Sequence, residues 1–309
     1  MNNKNKMNAR LLYKKDNWFR DPEGRYVMFR GVNFGSRSKL PPYLPISPLK
    51  AERISPNELR EEIENVAEEL DLMKKSGFNS IRLPLSWKAL EPKPNPDLDR
   101  ILPEGEEYLK LVQQIVDALY ARNLLVLLDF HQDIAHEVCG GDGFPDWALA
   151  ITKEVKRPDK PVRNNKLWAA SYQLNKLVKS TLYSFYHNDL NNEEANLTSY
   201  PVRTHLEKTI GQTIKFFKSF NEGEGHPAIF GVDVFNEPHP VGIDKLEFES
   251  QLLKEFYLNT FHEIRKYDDK IFVFVEPRVD WTAFSSEEMN KHLTGWDKVN
   301  KFDLRRFLR

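Results

Sequence analysis

The sequence predicts an α/β chain of (β/α)8 barrel type behind a short N-terminal β-hairpin. Short apolar runs alternate with longer amphipathic stretches, the order expected of parallel strands joined by helices. One such run, Leu124–Leu125–Val126–Leu127–Leu128–Asp129–Phe130, is apolar nearly throughout, as a strand covered on both faces must be. Each run also leads into a polar residue, and barrels carry their chemistry at the C-terminal ends of their strands. No glycine-rich fingerprint follows any run, which removes the usual dinucleotide-binding form of the doubly wound alternative.

The elements follow in order. Asn17–Trp18–Phe19 and Tyr26–Val27–Met28–Phe29 flank the turn sequence Asp21–Pro22–Glu23–Gly24 and read as the hairpin. Its second strand continues into Gly31–Val32–Asn33–Phe34, the first barrel strand. Ser55–Pro56–Asn57–Glu58 places serine, proline and glutamate where a capping box needs them. Leu59, Ile63, Val66, Ala67, Leu70 and Met73 then recur at helical spacing, predicting one helix that Gly77 stops. Phe78 to Leu85 is the second strand, with Pro84 near its end. Leu109, Ile115, Val116 and Leu119 mark the helix before the third strand at Leu124–Phe130. Helical stretches near Leu167–Leu182 and Val202–Phe220 come next, separated by an asparagine-rich segment, Asn188 to Asn196, that reads as an exposed loop tip. Ile229 to Phe235 is the fourth strand, Lys245–Arg265 a helix, and Ile271 to Val275 the fifth strand. No repeat or linker divides the chain, so residues 1–309 read as a single domain.

Composition excludes several function classes. Lys plus Arg number 45 and Asp plus Glu 46, and a net charge of −1 offers nothing to a polyanion. The one basic run, Lys153 to Arg163, is interrupted by Glu154 and Asp159 and reads as a solvated loop, so no nucleic-acid partner is expected. Cys139 is alone, which forbids an internal disulfide, and beside Gly140 and Gly141 it reads as a packing residue. The N-terminal MNNKNKMNARLLYKK holds no apolar run of signal-peptide length, and no stretch approaches the ~20 apolar residues of a membrane span. A cytoplasmic protein without an integral membrane segment is the expectation.

Hydrolysis of a glycosidic bond with retention needs two carboxyl groups about 5–5.5 Å apart, one protonated and one ionised. The protonated one belongs where an apolar wall and a neighbouring carboxylate disfavour its charge. Asp233–Val234–Phe235–Asn236–Glu237–Pro238 meets that need: Glu237 leaves a hydrophobic strand, Pro238 halts it, and Asn236 offers an amide to a sugar hydroxyl. His131 and Asp133 close the third strand without a third ligand at a recognisable spacing, so neither a metal nor another cofactor is expected.

Asn236–Glu237–Pro238 after a buried strand resembles the signature of family 5 glycoside hydrolases, the group that contains many cellulases. Leu128–Asp129–Phe130–His131–Gln132–Asp133, followed by Gly141–Asp142–Gly143–Phe144–Pro145–Asp146–Trp147–Ala148, resembles the endoglycoceramidase-like branch, whose known members cleave sugars from lipids. Arg30–Gly31–Val32–Asn33–Phe34 with Ser38–Lys39, Arg82–Leu83–Pro84 and Phe274–Val275–Glu276–Pro277 extend the resemblance from about Trp18 to about Trp281. It implies a TIM-type barrel and a carbohydrate or glycolipid substrate. Glu237 would be the acid/base, Asn236 would hold the hydroxyl beside the anomeric carbon, and Arg82 would orient a catalytic carboxylate. His131, Asp133 and Lys39 would bind the sugar, with Trp147 or Trp168 as a stacking surface.

In that family the nucleophile is a glutamate ending the seventh strand. This chain reaches a fifth strand at Val275, so the barrel is expected to be incomplete, about five of eight βα units, and the nucleophile to lie outside it. Either the chain is a truncated product or a partner chain completes the barrel. Glu276, which also ends a strand before a proline, is the weak candidate for a replacement nucleophile; as a satisfied carboxylate at the rim it reads better. A β-glycosidase acting on a glycosylceramide, a steryl glucoside or an oligosaccharide is the first expectation. A cellulase-like endoglucanase and a non-catalytic carbohydrate-binding remnant are the alternatives.

Overall fold

The computed structural model describes residues 6–35, 37–48, 51–161 and 170–279. The N-terminal segment forms a three-stranded antiparallel sheet of β1 (Tyr13–Lys15), β2 (Trp18–Arg20) and β3 (Tyr26–Val27). The barrel sheet begins separately at β4 (Gly31–Asn33), so the hairpin does not run on into it as the sequence suggested. Helices α1 (Pro56–Asn65) and α2 (Ala67–Lys75) lead to β5 (Ser80–Ser86). The short α3 (Trp87–Leu90) and long α4 (Pro103–Ala121) precede β6 (Leu125–His131).

An excursion follows, with α5 (Ser171–Leu174), α6 (Lys176–His187), the hairpin β7 (Leu190–Asn192) and β8 (Leu197–Tyr200), and α7 (Val202–Lys218). Then β9 (Ile229–Asp233), α8 (Lys245–Glu247), a π-helical turn at Phe248–Leu252, α9 (Leu253–Arg265) and β10 (Phe272–Phe274) complete the described fold. The barrel strands lie in the order β10-β9-β6-β5-β4, and all their pairings are parallel. Among the described residues the five predicted barrel strands are therefore the five observed, forming an incomplete barrel.

Alternation along the strands separates two cores. Ile81, Leu83 and Leu85 of β5, with Val126, Leu128 and Phe130 of β6, face the helices and join Leu109, Val112 and Val116 of α4 in the main core. Leu125 and Phe230 instead join Val27 and the half-buried Phe19 and Phe29 of the N-terminal segment. Phe29 stacks on Phe230 at 4.1 Å and Phe19 meets Phe272 edge-on at 4.8 Å. The N-terminal sheet thus plugs the barrel at the N-terminal ends of its strands. The opposite ends are left for polar side chains.

Three expectations need correction. The capping box at Ser55 forms, but the single helix predicted after it breaks at Val66, whose ψ of 17° leaves the helical range without any proline or glycine. Leu59 and Leu70, on either side of the break, are both buried. The segment Asn188 to Asn196 is no loop tip: Asn188 caps α6 in the left-handed region and Leu190 and Asn192 are buried in the β7–β8 hairpin. The helical stretch predicted near Leu167–Leu182 is resolved as α5 and α6, and Leu167, Trp168 and Ala169 lie outside the described residues.

Candidate active site

Arg82 is the hub. It sits in β5 in register with Leu127 and points to the inner face, where three strands deliver acceptors. Its Nη1 lies 3.0 Å from Asp129 Oδ2 of β6. Its Nε and Nη2 donate to Asp233 Oδ2 of β9 at 3.1 and 2.8 Å. Nη2 also donates to Asn236 Oδ1 at 3.0 Å and to Glu276 Oε1 at 2.9 Å. A planar fork with five fixed donors can serve this many acceptors, and an ammonium cannot. Arg82 therefore fixes the ends of β6, β9 and β10 relative to one another.

The end of β6 carries the second group. His131 Nδ1 donates to Asp129 Oδ2 at 2.8 Å and its Nε2 stands 3.4 Å from Asp133 Oδ2. Burial alone would lower the imidazole, but the bonds to Asp129 and Asp133 outweigh it and raise His131 to about 10, so it is a cation at neutral pH. Asp133 is held below its ordinary value: burial opposes this, and His131 and Lys39 overcome it. Lys39, from the loop after β4, pairs with Asp133 and lies 3.8 Å from Asp142 Oδ1.

Asp142 arrives by backbone pairing with Asp133, donating to its carbonyl at 2.9 Å and accepting at 3.2 Å. Gly141 makes that approach possible, because a Cβ there would stand 1.7 Å from the Asp133 carbonyl oxygen. Next to it Gly143 adopts φ +113°, where a side chain would be strained. These two glycines give the Gly-Asp-Gly segment its physical reason.

Beyond the end of β9, Asn236 Nδ2 donates to the Gln132 carbonyl at 3.0 Å and stands 3.5 Å from Asp133 Oδ1. Glu237 occupies the left-handed region at φ +47°, which for a residue with a side chain costs about 1–3 kcal/mol unless its surroundings hold it. Its N–H donates to Glu276 Oε2 at 2.9 Å. Its Oε2 is buried without a hydrogen-bond partner among the described residues. Burial, then the nearby Asp133 carboxylate, push the Glu237 carboxyl above the ordinary range, against the pull of His131, Lys39 and Arg82.

The cations are outnumbered. Asp129, Asp133, Asp142, Asp233, Glu237 and Glu276 face Lys39, Arg82 and His131. Burial raises Asp142 to about 7 and Glu276 to about 8, and it raises Asp233 and Glu237 as well. Such a site can keep a carboxylic acid protonated at neutral pH, which is what a proton donor needs.

Lys39, Arg82, His131, Asp133, Asn236 and Glu237, each predicted from the sequence, thus meet at the C-terminal ends of the strands. Trp147 does not join them. It is buried in a 3-10 turn, donates its indole N–H to the Glu91 carbonyl at 2.9 Å and packs edge-on against Trp87, so it offers no ring face to a sugar. Trp168 lies outside the described residues. Cys139 is buried, and burial raises its thiol to about 11, in keeping with a packing role.

Sequence reasoning singled out none of Asp129, Gln132, Asp142 and Asp233 as site residues. His131, Asp133 and Asp142 place ligand-capable atoms within 4.8 Å of one another, a grouping that the sequence spacing hid. The ammonium of Lys39 pairs with Asp133 and lies 3.8 Å from Asp142, two members of that grouping.

Comparison with known proteins agrees with this architecture. Residues 52–300 match the family model described as cellulase, glycosyl hydrolase family 5. Endoglycoceramidase I of Rhodococcus hoagii is 29% identical over 220 residues, which cover 71% of this chain and 35% of the relative. Glucosylceramidase of Rhizopus delemar is 25% identical over 263 residues, covering 74% of this chain and 36% of the relative. The solved structure of endo-glycoceramidase II from Rhodococcus sp. superposes with a TM-score of 0.58 at 24% identity, covering 84% of this chain and 50% of that one. The chain therefore spans about a third of the length of these curated relatives and half of the solved chain. The described residues contain no helix long and apolar enough to cross a membrane. With its family match covering most of its residues, the chain belongs to the cellulase family, glycosyl hydrolase family 5.

Proposed function

We propose that this chain is the acid/base-bearing part of a retaining β-glycosidase acting on a glycosylated lipid, a glycosylceramide or a steryl glucoside. One observation carries the proposal. Glu237 presents, beyond the end of β9, a buried carboxyl oxygen without a hydrogen-bond partner among the described residues, with its affinity for a proton raised by burial and by Asp133. Glu237 donates that proton to the glycosidic oxygen, and general acid assistance of this kind contributes about 10²–10⁴-fold. Asn236, fixed by Arg82, meets the hydroxyl beside the reacting carbon. Lys39, Asp133 and His131 supply donors and acceptors for the remaining hydroxyls. The glycolipid class comes from the relatives, which are named endoglycoceramidase and glucosylceramidase.

We place the nucleophile outside the described residues, in polypeptide that pairs with the sides of β4 and β10 left unpaired among them. Glu276 is poorly suited to that role. Its two oxygens are occupied by Arg82 and by the Glu237 N–H, and its proton is held to about pH 8. A carbohydrate-binding chain without turnover is the second reading, favoured by that same occupied carboxylate.

The test is hydrolysis of an aryl β-glucoside and of glucosylceramide by residues 1–309, alone and with a relative's C-terminal barrel half added, each beside Glu237→Gln. Turnover that appears on addition and is abolished by Glu237→Gln supports the proposal. Turnover indifferent to Glu237→Gln refutes it. Robust turnover by residues 1–309 alone would point to a nucleophile within the chain, with Glu276 the first to replace.

A further inference from the structure

The N–H of Glu237 lies beyond both neighbouring strand ladders. Val234 N–H donates to the Phe274 carbonyl at 3.2 Å and Asn236 N–H to the Phe130 carbonyl at 3.2 Å. Glu237 N–H then meets a side chain, Oε2 of Glu276, at 2.9 Å. Glu276 is itself held at two points. Arg82 Nη2 grips its Oε1 at 2.9 Å, and the Tyr257 hydroxyl donates to its backbone carbonyl at 2.7 Å. Arg82 Nη2 also holds Asn236 Oδ1. The peptide that joins Asn236 to Glu237 is therefore fixed from both sides, and φ of Glu237 stays at +47°.

From this geometry we infer that Glu276 is a positioning residue, which clamps the backbone of Glu237 in its left-handed conformation and so aims the Glu237 carboxyl at the substrate. The inference rests on Glu237 being the acid/base. A side chain on a left-handed residue leaves the backbone in a direction that a right-handed or extended residue cannot reach. Without an acceptor for its N–H, the peptide between Asn236 and Glu237 is held only through the Asn236 carbonyl, which accepts from Gln132 Nε2 at 2.8 Å; φ can then relax toward negative values, and the carboxyl swings away. Glu276 thereby does its work without touching substrate. Its engaged oxygens, a drawback in a nucleophile, are what a clamp requires.

The experiment uses residues 1–309 labelled with ¹⁵N, and two variants, Glu276→Ala and Glu276→Gln. Amide hydrogen exchange is read at Glu237 and, as a control on folding, at Val232 in β9. In Glu276→Ala exchange at Glu237 should accelerate about tenfold, the loss of one hydrogen bond to a charged or polar partner. In Glu276→Gln, whose amide oxygen can still accept but whose NH2 meets the donors of Arg82, the acceleration should be smaller. Exchange at Val232 should not change.

Calorimetry with a glucose-configured iminosugar, whose ring nitrogen hydrogen-bonds an aimed carboxyl group, supplies the functional readout. Affinity should fall about tenfold in Glu276→Ala and less in Glu276→Gln, in the order of the exchange data. Unchanged exchange at Glu237 in both variants overturns the clamp. Faster exchange with undiminished affinity, while Glu237→Gln does lose affinity, reduces Glu276 to a structural group and overturns the positioning role. If the iminosugar does not bind, or Glu237→Gln binds it unchanged, the acid/base reading fails and Glu276 has no catalytic residue to position, whatever the exchange shows.

Discussion

Gln132 and Asn236 exchange hydrogen bonds: Gln132 Nε2 donates to the Asn236 carbonyl at 2.8 Å, and Asn236 Nδ2 donates to the Gln132 carbonyl at 3.0 Å. The reciprocal pair ties the residue after β6 to the one before Glu237, both buried. Gln132 Oε1 also accepts from Ala135 N–H at 3.3 Å, in a loop where Ile134 and Ala135 have positive φ. Replacing Gln132 with alanine removes the side-chain partner of the buried Asn236 carbonyl and of the Ala135 N–H. The expected loss is about 1–3 kcal/mol, a fall of roughly 2–10 °C in the thermal midpoint at this chain length. Scanning calorimetry of Gln132→Ala checks it, and a midpoint within 1 °C of the parent would show that the exchange contributes little.

Stability should be greatest on the acid side of neutrality. The folded state holds protons that the unfolded chain would release: on Asp142 up to about pH 7, on Glu276 up to about 8 and on His131 up to about 10. Where the folded state binds more protons than the unfolded one, stability falls as pH rises. Asp133 and Asp146 act in the opposite sense. Their ion pairs lower them below 3.8, so their contribution is present above that value and is lost as pH falls. Urea midpoints should therefore peak at about pH 5 and decline steadily toward pH 9. Glu276→Gln removes one of the protons concerned and should flatten the decline between pH 5 and 8. A midpoint that rises from pH 5 to pH 8 would contradict the charge balance of the site.

The strand ends were legible because each breaks an apolar run with a polar residue at the point where a barrel exposes it. Arg82 interrupts its apolar run near the start of β5, whereas His131, Glu237 and Glu276 announced themselves that way. Asp142 did not. It reaches the site through a single β-bridge to Asp133, nine residues away, made possible by the missing side chain of Gly141, and no periodicity reports such a bridge. The break at Val66 carries no proline or glycine to mark it. The β7–β8 hairpin was hidden because asparagines tolerate left-handed backbone and so resemble loop, while Leu190 and Asn192 take their burial from distant partners such as Trp147, whose carbonyl accepts from Asn192 Nδ2 at 3.0 Å.

Trp147 tests the limit of motif reasoning directly. It follows a segment that forms part of the site, yet its ring is enclosed by Trp87, Tyr200 and His205. Trp147→Phe should cost about 1–3 kcal/mol in urea unfolding, through the lost bond to the Glu91 carbonyl and the reduced packing. The affinity of the folded variant for a glucose-configured iminosugar should stay within about twofold of the parent. A loss of tenfold or more, with stability unchanged, would mean that the indole faces the sugar after all.

The Lys39 ammonium lies against two of the three groups that could hold a divalent ion. His131, Asp133 and Asp142 have the ligand types and the proximity of a divalent site, with potential ligand atoms within 4.8 Å of one another. Two features oppose metal binding in the parent. Lys39 pairs with Asp133 and lies 3.8 Å from Asp142, and a second cation there would be repelled. His131, raised to about 10, carries a proton on the nitrogen that would have to ligate. Zn²⁺ at micromolar concentration should therefore leave the thermal midpoint of the parent unchanged, and chelators should not affect it. Lys39→Met removes the ammonium and leaves two carboxylates without their cation. Binding of Zn²⁺ can then displace the proton from His131, and the variant should gain a zinc-dependent rise in midpoint of several degrees that His131→Gln abolishes. A parent that is stabilised by zinc, or destabilised by chelation, would make the trio a metal site that Lys39 does not block.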